Sequence, residues 1–441
     1  MRKTSLPRAL AASLALLALS VGACSDDDKA QGGSDTVSPG DDTTQPGADT
    51  TGGTDTSTPV EGSTRLETLL DSESVALVFG KSQAMTVEVP PNAVSLSISV
   101  IGEPGNRYVL NAWTDPNGTA LVTEDWILGE EGQGGLCISC PNRVTSSDAA
   151  FAALAPNNPS VTLTPGTHTF TIFGLAPKPV VQEGTATCND GICHFFDQFQ
   201  CPQDCGASPT SGFVDVSITA KVSEDGALPE TGVLDLNLHF TGAEGLTAAS
   251  AQTDANFQAS LETVRTLYRQ VGIEIGTLTY RDVDSRFQVI ETFDGPDSDL
   301  IEMFESSDGN PTGLNLFFVS ELSAGQFGGF GVILGISGGI PGPPLEQGTP
   351  RSGVAIAIKP VQGAPAGIDT TIAHEAGHFL GLYHTSEQNF FGGPGIHDPI
   401  PDTPENDDSY LMFNTGSGSN LSVQQGVVMR ANPFVRHPTA N

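Results

Sequence analysis

The sequence predicts two folded units in series, an all-β sandwich over residues 64–228 and an α+β unit with a mixed sheet over residues 229–441, preceded by a disordered linker. Three observations predict this. Short β-rich runs separated by Pro, Gly and Asn turns recur between residues 64 and 228, the spacing that makes a sandwich. Beyond residue 229 the order changes to strand, helix, strands, helix, which is the pattern of an α/β layer. Residues 25–63 are dominated by Ser, Thr, Gly, Asp and Pro. Such a segment buries too little apolar surface to offset its ordering entropy.

The chain begins with the basic residues Arg2, Lys3 and Arg8, followed by the apolar run Ala9–Ala23. That run is about 15 residues, shorter than the roughly 20 of a spanning helix. It ends in Val21-Gly22-Ala23-Cys24, which resembles the lipobox of bacterial lipoproteins. The resemblance implies that residues 1–24 form a lipoprotein signal peptide and that Cys24 carries the lipid. It also implies export and anchoring at the bacterial cell surface or outer membrane, with release as an alternative. An ordinary secretory signal with a chance Cys stays open. Residues 25–63 then act as a self-repelling spacer.

Acids outnumber bases 52 to 18 among 441 residues, for a formal charge of −34. A surface this acidic repels phosphate backbones, which excludes nucleic acid as a partner. It also makes an anionic bilayer a poor electrostatic partner.

In the all-β unit the expected strands are Val75–Phe79, Met85–Val89, Val94–Ile101, Tyr108–Trp113, Val161–Leu163, Thr167–Gly174 and Phe213–Val222. The layout is similar to small jelly-roll domains attached to secreted bacterial peptidases. Six cysteines lie beyond Cys24, an even number that fits disulfides in an exported chain. Cys137 and Cys140 fit a tight local disulfide or a redox pair. The Cys-rich insertion 188–205 is expected to be stapled, with its connectivity open.

In the α+β unit, Val233–Phe240 alternates as a strand. Phe257, Leu261, Val264 and Leu267/Tyr268 share one face of a helix capped by Asp254. Strands Ile273–Tyr280, Gly313–Val319 and Gly353–Ile358 follow, and a helix starts after Asp369. The uncharged run Ala324–Leu345 holds eight Gly and three Pro, a poor helix. It reads as a flexible loop near the cleft, with a substrate- or membrane-touching flap as the alternative.

Residues 374–384 read HEAGHFLGLYH. On a helix, His374 and His378 stand one turn apart on the same face. Gly381 ends the helix through a left-handed turn and the chain brings His384 round. Three neutral imidazoles favour zinc and leave a fourth position for water. Zinc lowers the pKa of bound water steeply, to about 7. That is worth about 12 kcal/mol of preference for hydroxide, more than the roughly 10²–10⁴-fold from one general base. Glu375, rotated about 100° from His374, is the candidate for that base.

HEAGHFLGLYH matches the metzincin signature H-E-x-x-H-x-x-G-x-x-H at every fixed position. It is most similar to the pappalysin group, because Asp398-Pro399-Ile400-Pro401-Asp402-Thr403-Pro404 resembles that group's D-x-V-x-D-T-P segment. The resemblance implies a metzincin-like α+β catalytic domain with an active-site helix and a Met-turn, with Met412 under the zinc ligands. It implies a zinc endopeptidase acting on extracellular or surface proteins and peptides. It also brings in calcium, for which Asp398 and Asp402 are candidates beside the alternative of a solvated acidic loop. The position two residues after Met412 is Asn414, where some metzincins carry a Tyr. A reading from another class is a surface binding or adhesion lipoprotein with a catalytically silent scaffold.

Overall fold

The computed structural model describes residues 63–128, 135–177, 180–181, 193–194, 207–323, 333–359, 367–387 and 395–437. Cys24, the signal and most of the linker lie outside the described residues, as does nearly all of the Cys-rich insertion 188–205. The described chain is mixed α/β, mostly sheet with few helices. No described helix is long and apolar enough to cross a membrane.

The all-β part is built from β1 (Thr64–Val78), β2 (Met85–Val89), β3 (Ala93–Ile101), β4 (Arg107–Thr114), β5 (Ala150–Ala155), β6 (Gly166–Ala176) and β7 (Gly212–Ser223). Among the described residues these strands and several two- or three-residue strands are hydrogen-bonded into one 11-stranded sheet. Its order runs from Ala120–Val122 through β4, β6, Lys81–Ser82, β1, β7 and β3 to β5, with β2 added on β6. One apolar cluster takes Leu110 and Trp113 from β4, Phe170 and Ile172 from β6, Ile98 from β3 and Phe151 from β5. Residues from both ends of the sheet meet there, so the sheet curls over a common core. Cys137 and Cys140 are joined by a disulfide and buried in it.

One expectation is corrected here. Val161–Leu163 is not a strand. Pro159 and Pro165 bracket it, and neither can donate to a ladder. The alanine-rich β5 is a strand that composition conceals, since alanine is a weak strand former and every β5 residue is buried.

The second sheet contains β8 (Gly232–Phe240), β9 (Ile273–Asp282), β10 (Leu314–Val319), β11 (Gly335–Ser337), β12 (Val354–Ala357) and β13 (Val435–Arg436). Its order is β9-β8-β10-β12-β11, with β13 paired to β8. Pairs β8/β9, β8/β10 and β10/β12 are parallel, whereas β11 joins β12 antiparallel as the last strand. Helix α1 (Ala255–Arg269) starts as expected: Asp254 accepts from the Phe257 amide at 2.9 Å. Helices α2 (Asp299–Glu305), α3 (Ile368–Phe379) and α4 (Val423–Ala431) complete the unit. The Tyr268 hydroxyl of α1 donates to the Ala373 carbonyl of α3 at 2.9 Å, fastening the two helices.

The Gly-rich run differs from a flexible loop where it is described. Residues 324–332 lie outside the description, but Gly335–Ser337 is a strand and the stretch through Pro344 is almost wholly buried. A Cβ on Gly342 would come within 2.1 Å of the Phe379 ring. Glycine serves close approach here, not mobility.

The two sheets are joined by a polar and apolar seam. The Ser95 hydroxyl donates to Ala431 O at 2.6 Å, and Leu154 of β5 belongs to the apolar cluster of the second sheet. Lys221 is 1% exposed and its ammonium donates to the carbonyls of Arg430 (2.6 Å), Asn432 (3.0 Å) and Val435 (2.5 Å). Burial pushes its pKa well below the usual lysine value. Lys221→Met keeps the apolar stem but leaves these carbonyls without that donor. A loss of about 1–3 kcal/mol is expected, to be read as a shift in the denaturation midpoint. An unshifted midpoint would show that the seam does not need the lysine.

Candidate metal centre

The site is assembled from one helix, one turn and one loop. Helix α3 carries His374, Glu375 and His378, all fully buried. Gly381 has φ +113°, a backbone that a side chain rarely adopts. Its amide donates to His378 O at 2.9 Å and the Leu382 amide donates to Gly377 O at 3.0 Å, so the helix closes there and the chain reverses. The reversal delivers His384, 5% exposed, opposite the two helical imidazoles.

The three rings converge through one edge. Nε2 of His384 lies 3.2 Å from Nε2 of His374 and 3.1 Å from Nε2 of His378. Each Nδ1 points outward to a group that only accepts: Leu411 O at 2.6 Å, Leu382 O at 2.7 Å and a Glu387 carboxylate oxygen at 2.6 Å. Each Nδ1 must therefore carry the hydrogen. In a neutral ring that leaves Nε2 bare, so three lone pairs face one another. Burial, with the neighbouring His384 as a smaller cause, pushes the His374 pKa down to about 3. Burial and then its two imidazole neighbours hold His378 well below its usual value. Three ring nitrogens turned toward one another in this way suit a cation between them. The triad can hold a metal ion, and among the described residues it is the only such group of His, Cys, Asp and Glu.

Glu375 lies beside the triad, against the edge strand β11. A Cβ on Gly335 would come within 2.4 Å of the Glu375 Cγ. The missing side chain is what lets the strand pass directly over this carboxylate.

Met412 is fully buried in the apolar core around α3. A Cβ on Gly377 would stand 2.7 Å from its sulfur. The loop around it also grips the site by backbone. Leu411 O receives the His374 ring, and Met412 O accepts from the Thr385 amide at 2.8 Å. Gly377→Ala is expected to push Met412 aside and lower stability by about 1–3 kcal/mol. An unchanged unfolding midpoint with unchanged metal affinity would contradict this packing.

Asp398 and Asp402 do not join a third ligand-bearing group among the described residues. One Asp398 oxygen accepts from the Ile400 amide (3.0 Å) and the Thr403 hydroxyl (2.6 Å). Burial raises the Asp398 pKa to about 6. Asp402 accepts from the Gln424 amide at 3.1 Å. Asp398 thus orders its own loop, whereas Asp402 ties that loop to the start of α4. His397 stays outside the triad, with its ring donating to Thr385 O.

Sequence reading did not single out Glu387, Gly377, Gly335 or Arg143. Arg143, from the all-β part, donates to His397 O at 2.6 Å and lies 5.8 Å from the centre of the Tyr383 ring, next to His384. Only Glu387 had a local signal, an acid three residues after the third His.

No protein-family model matches the chain, and no curated protein matches it. Among solved structures, a metalloproteinase-II from Bacteroides fragilis is similar at 12% identity and a TM-score of 0.30, over 46% of this chain and 54% of that one. A structure of infectious bursal disease virus, Gx strain, is similar at 11% identity and a TM-score of 0.17, over 39% of this chain and 36% of that one. The chain thus spans about half the length of the metalloproteinase and about a third of the viral chain. Likeness at this level shows neither family nor activity, so the chemistry rests on the residues of the site.

Proposed function

We propose that the chain is a zinc-dependent endopeptidase of metzincin type, nearest the pappalysin group, acting on extracellular or surface proteins and peptides. Lipidation at Cys24 would tether it to the outside of the bacterial cell. The observation that carries the proposal is the convergence of three bare imidazole nitrogens whose other nitrogens are all committed to acceptors. Three nitrogen donors suit zinc and leave a position open for water or substrate.

A zinc ion held there supplies Lewis acidity toward a carbonyl oxygen and acidifies water. The chain's own residues do the rest. His374 and His378 present neutral nitrogens because burial disfavours their protonation, and the outward Nδ1 of each of the three rings is engaged by an acceptor. Glu375 takes the proton of the attacking water and hands it to the leaving amine. β11 is the last strand of its sheet and passes directly over Glu375, so a peptide laid along it would bring its scissile bond across that carboxylate. Met412 and the Leu411 and Met412 carbonyls keep the helix and the third-ligand turn in register.

The test is hydrolysis of casein by the chain lacking residues 1–24. Cleavage abolished by a chelator and restored by zinc is expected. No cleavage by a fully zinc-loaded protein would favour the surface-binding scaffold.

A further inference from the structure

The three imidazoles are not held alike. His374 and His378 stand on α3 and donate to backbone carbonyls. His384 lies beyond Gly381, outside any helix, and its Nδ1 meets a carboxylate: Glu387 at 2.6 Å, with side-chain exposures of 3% for His384 and 16% for Glu387. Resting on the metal-centre reading above, we propose that Glu387 is a positioning residue whose carboxylate fixes the His384 ring so that its Nε2 faces the ion.

The physical case has three parts. A carboxylate only accepts, so it fixes the hydrogen on Nδ1 and keeps Nε2 bare. A hydrogen bond to a charged acceptor is roughly twice as strong as a neutral one, and it makes the imidazole a better donor to a metal. The ligand that lacks helical support receives the stronger restraint.

Glu387 is itself anchored. Ser386–Glu387 pairs antiparallel with Ile396–His397, aligning Glu387 with Ile396 and Ser386 with His397. The His397 carbonyl accepts from Arg143, and the Thr385 amide donates to Met412 O. The turn carrying both His384 and Glu387 is therefore tied to the all-β part on one side and the Met412 loop on the other. A competing account makes the pair a simple tie across the turn, with no bearing on the metal.

The experiment uses the chain lacking residues 1–24 and its Glu387→Ala and Glu387→Gln variants. Zinc affinity is measured by chelator competition at fixed pH, and the cobalt-loaded proteins are compared by visible absorption, which reports coordination geometry. Glu387→Ala is expected to weaken zinc binding about 10–100-fold and to alter the cobalt spectrum, while the metal-free circular dichroism stays the same. Glu387→Gln, whose amide oxygen still accepts from Nδ1, is expected to lose less but measurably. A Glu387→Ala protein with the parent's zinc affinity and cobalt spectrum overturns the proposal. So does a Glu387→Gln protein with both unchanged, which decides the matter if the alanine variant does not fold. A parent protein that binds no zinc overturns the metal-centre reading, and this inference with it. A zinc-binding parent with unaffected variants overturns this inference alone.

Discussion

Glu375→Ala is expected to bind one zinc per chain, fold as the parent does, and lose peptide hydrolysis by about 10²–10⁴-fold or more. The expectation follows from where Glu375 sits. It is on α3 next to His374 but outside the converging nitrogens, fully buried and pressed against Gly335 of the edge strand. It is not needed to hold the ion, so metal content should survive. In the proposed reaction it moves the proton of the attacking water, so turnover should not. A fall mainly in kcat, with KM little changed, is the signature of a group acting in the transition state. Full activity in the variant would remove Glu375 from the chemistry.

The second large effect is on the metal. His378→Ala is expected to lose stoichiometric zinc, with a drop in affinity beyond the about 10–100-fold typical of an outer-shell change. His378 would supply one of three donors, and its ring is fixed by the bond to Leu382 O at 2.7 Å. The parent should be stabilised by added zinc, since an ion that binds only the folded chain raises its stability. The variant should show no such rise in unfolding midpoint. Tight zinc retained in His378→Ala would undo the ligand assignment.

The parts of this site that were legible in the sequence are those fixed by local geometry. The i, i+4 spacing of His374 and His378 needs only a helix, and Gly381 needs only a left-handed turn. Both are present, at Ile368–Phe379 and φ +113°. The Asp254 cap and the strand Val233–Phe240 were legible for the same reason, because caps and period-2 alternation are local signals.

What escaped was long-range. Arg143 reaches His397 across 254 positions of sequence, a contact no pattern announces. β5 escaped because alanine carries almost no strand signal, although its Leu154 enters the core of the other sheet. Gly335 and Gly342 looked like flexibility, since a glycine needed for close approach has the same letter as one needed for a turn. Glu387 lay within three residues of the third His, yet its role depends on the chain reversing so that the two side chains meet.

The central claim is that three imidazoles grip a zinc ion and leave one position to a light atom. X-ray absorption at the zinc edge of the loaded protein tests it most directly. The account predicts three nitrogen neighbours with imidazole scattering at about 2.0–2.1 Å and one further oxygen. A sulfur neighbour, a fourth imidazole, or zinc that washes away at neutral pH would contradict it.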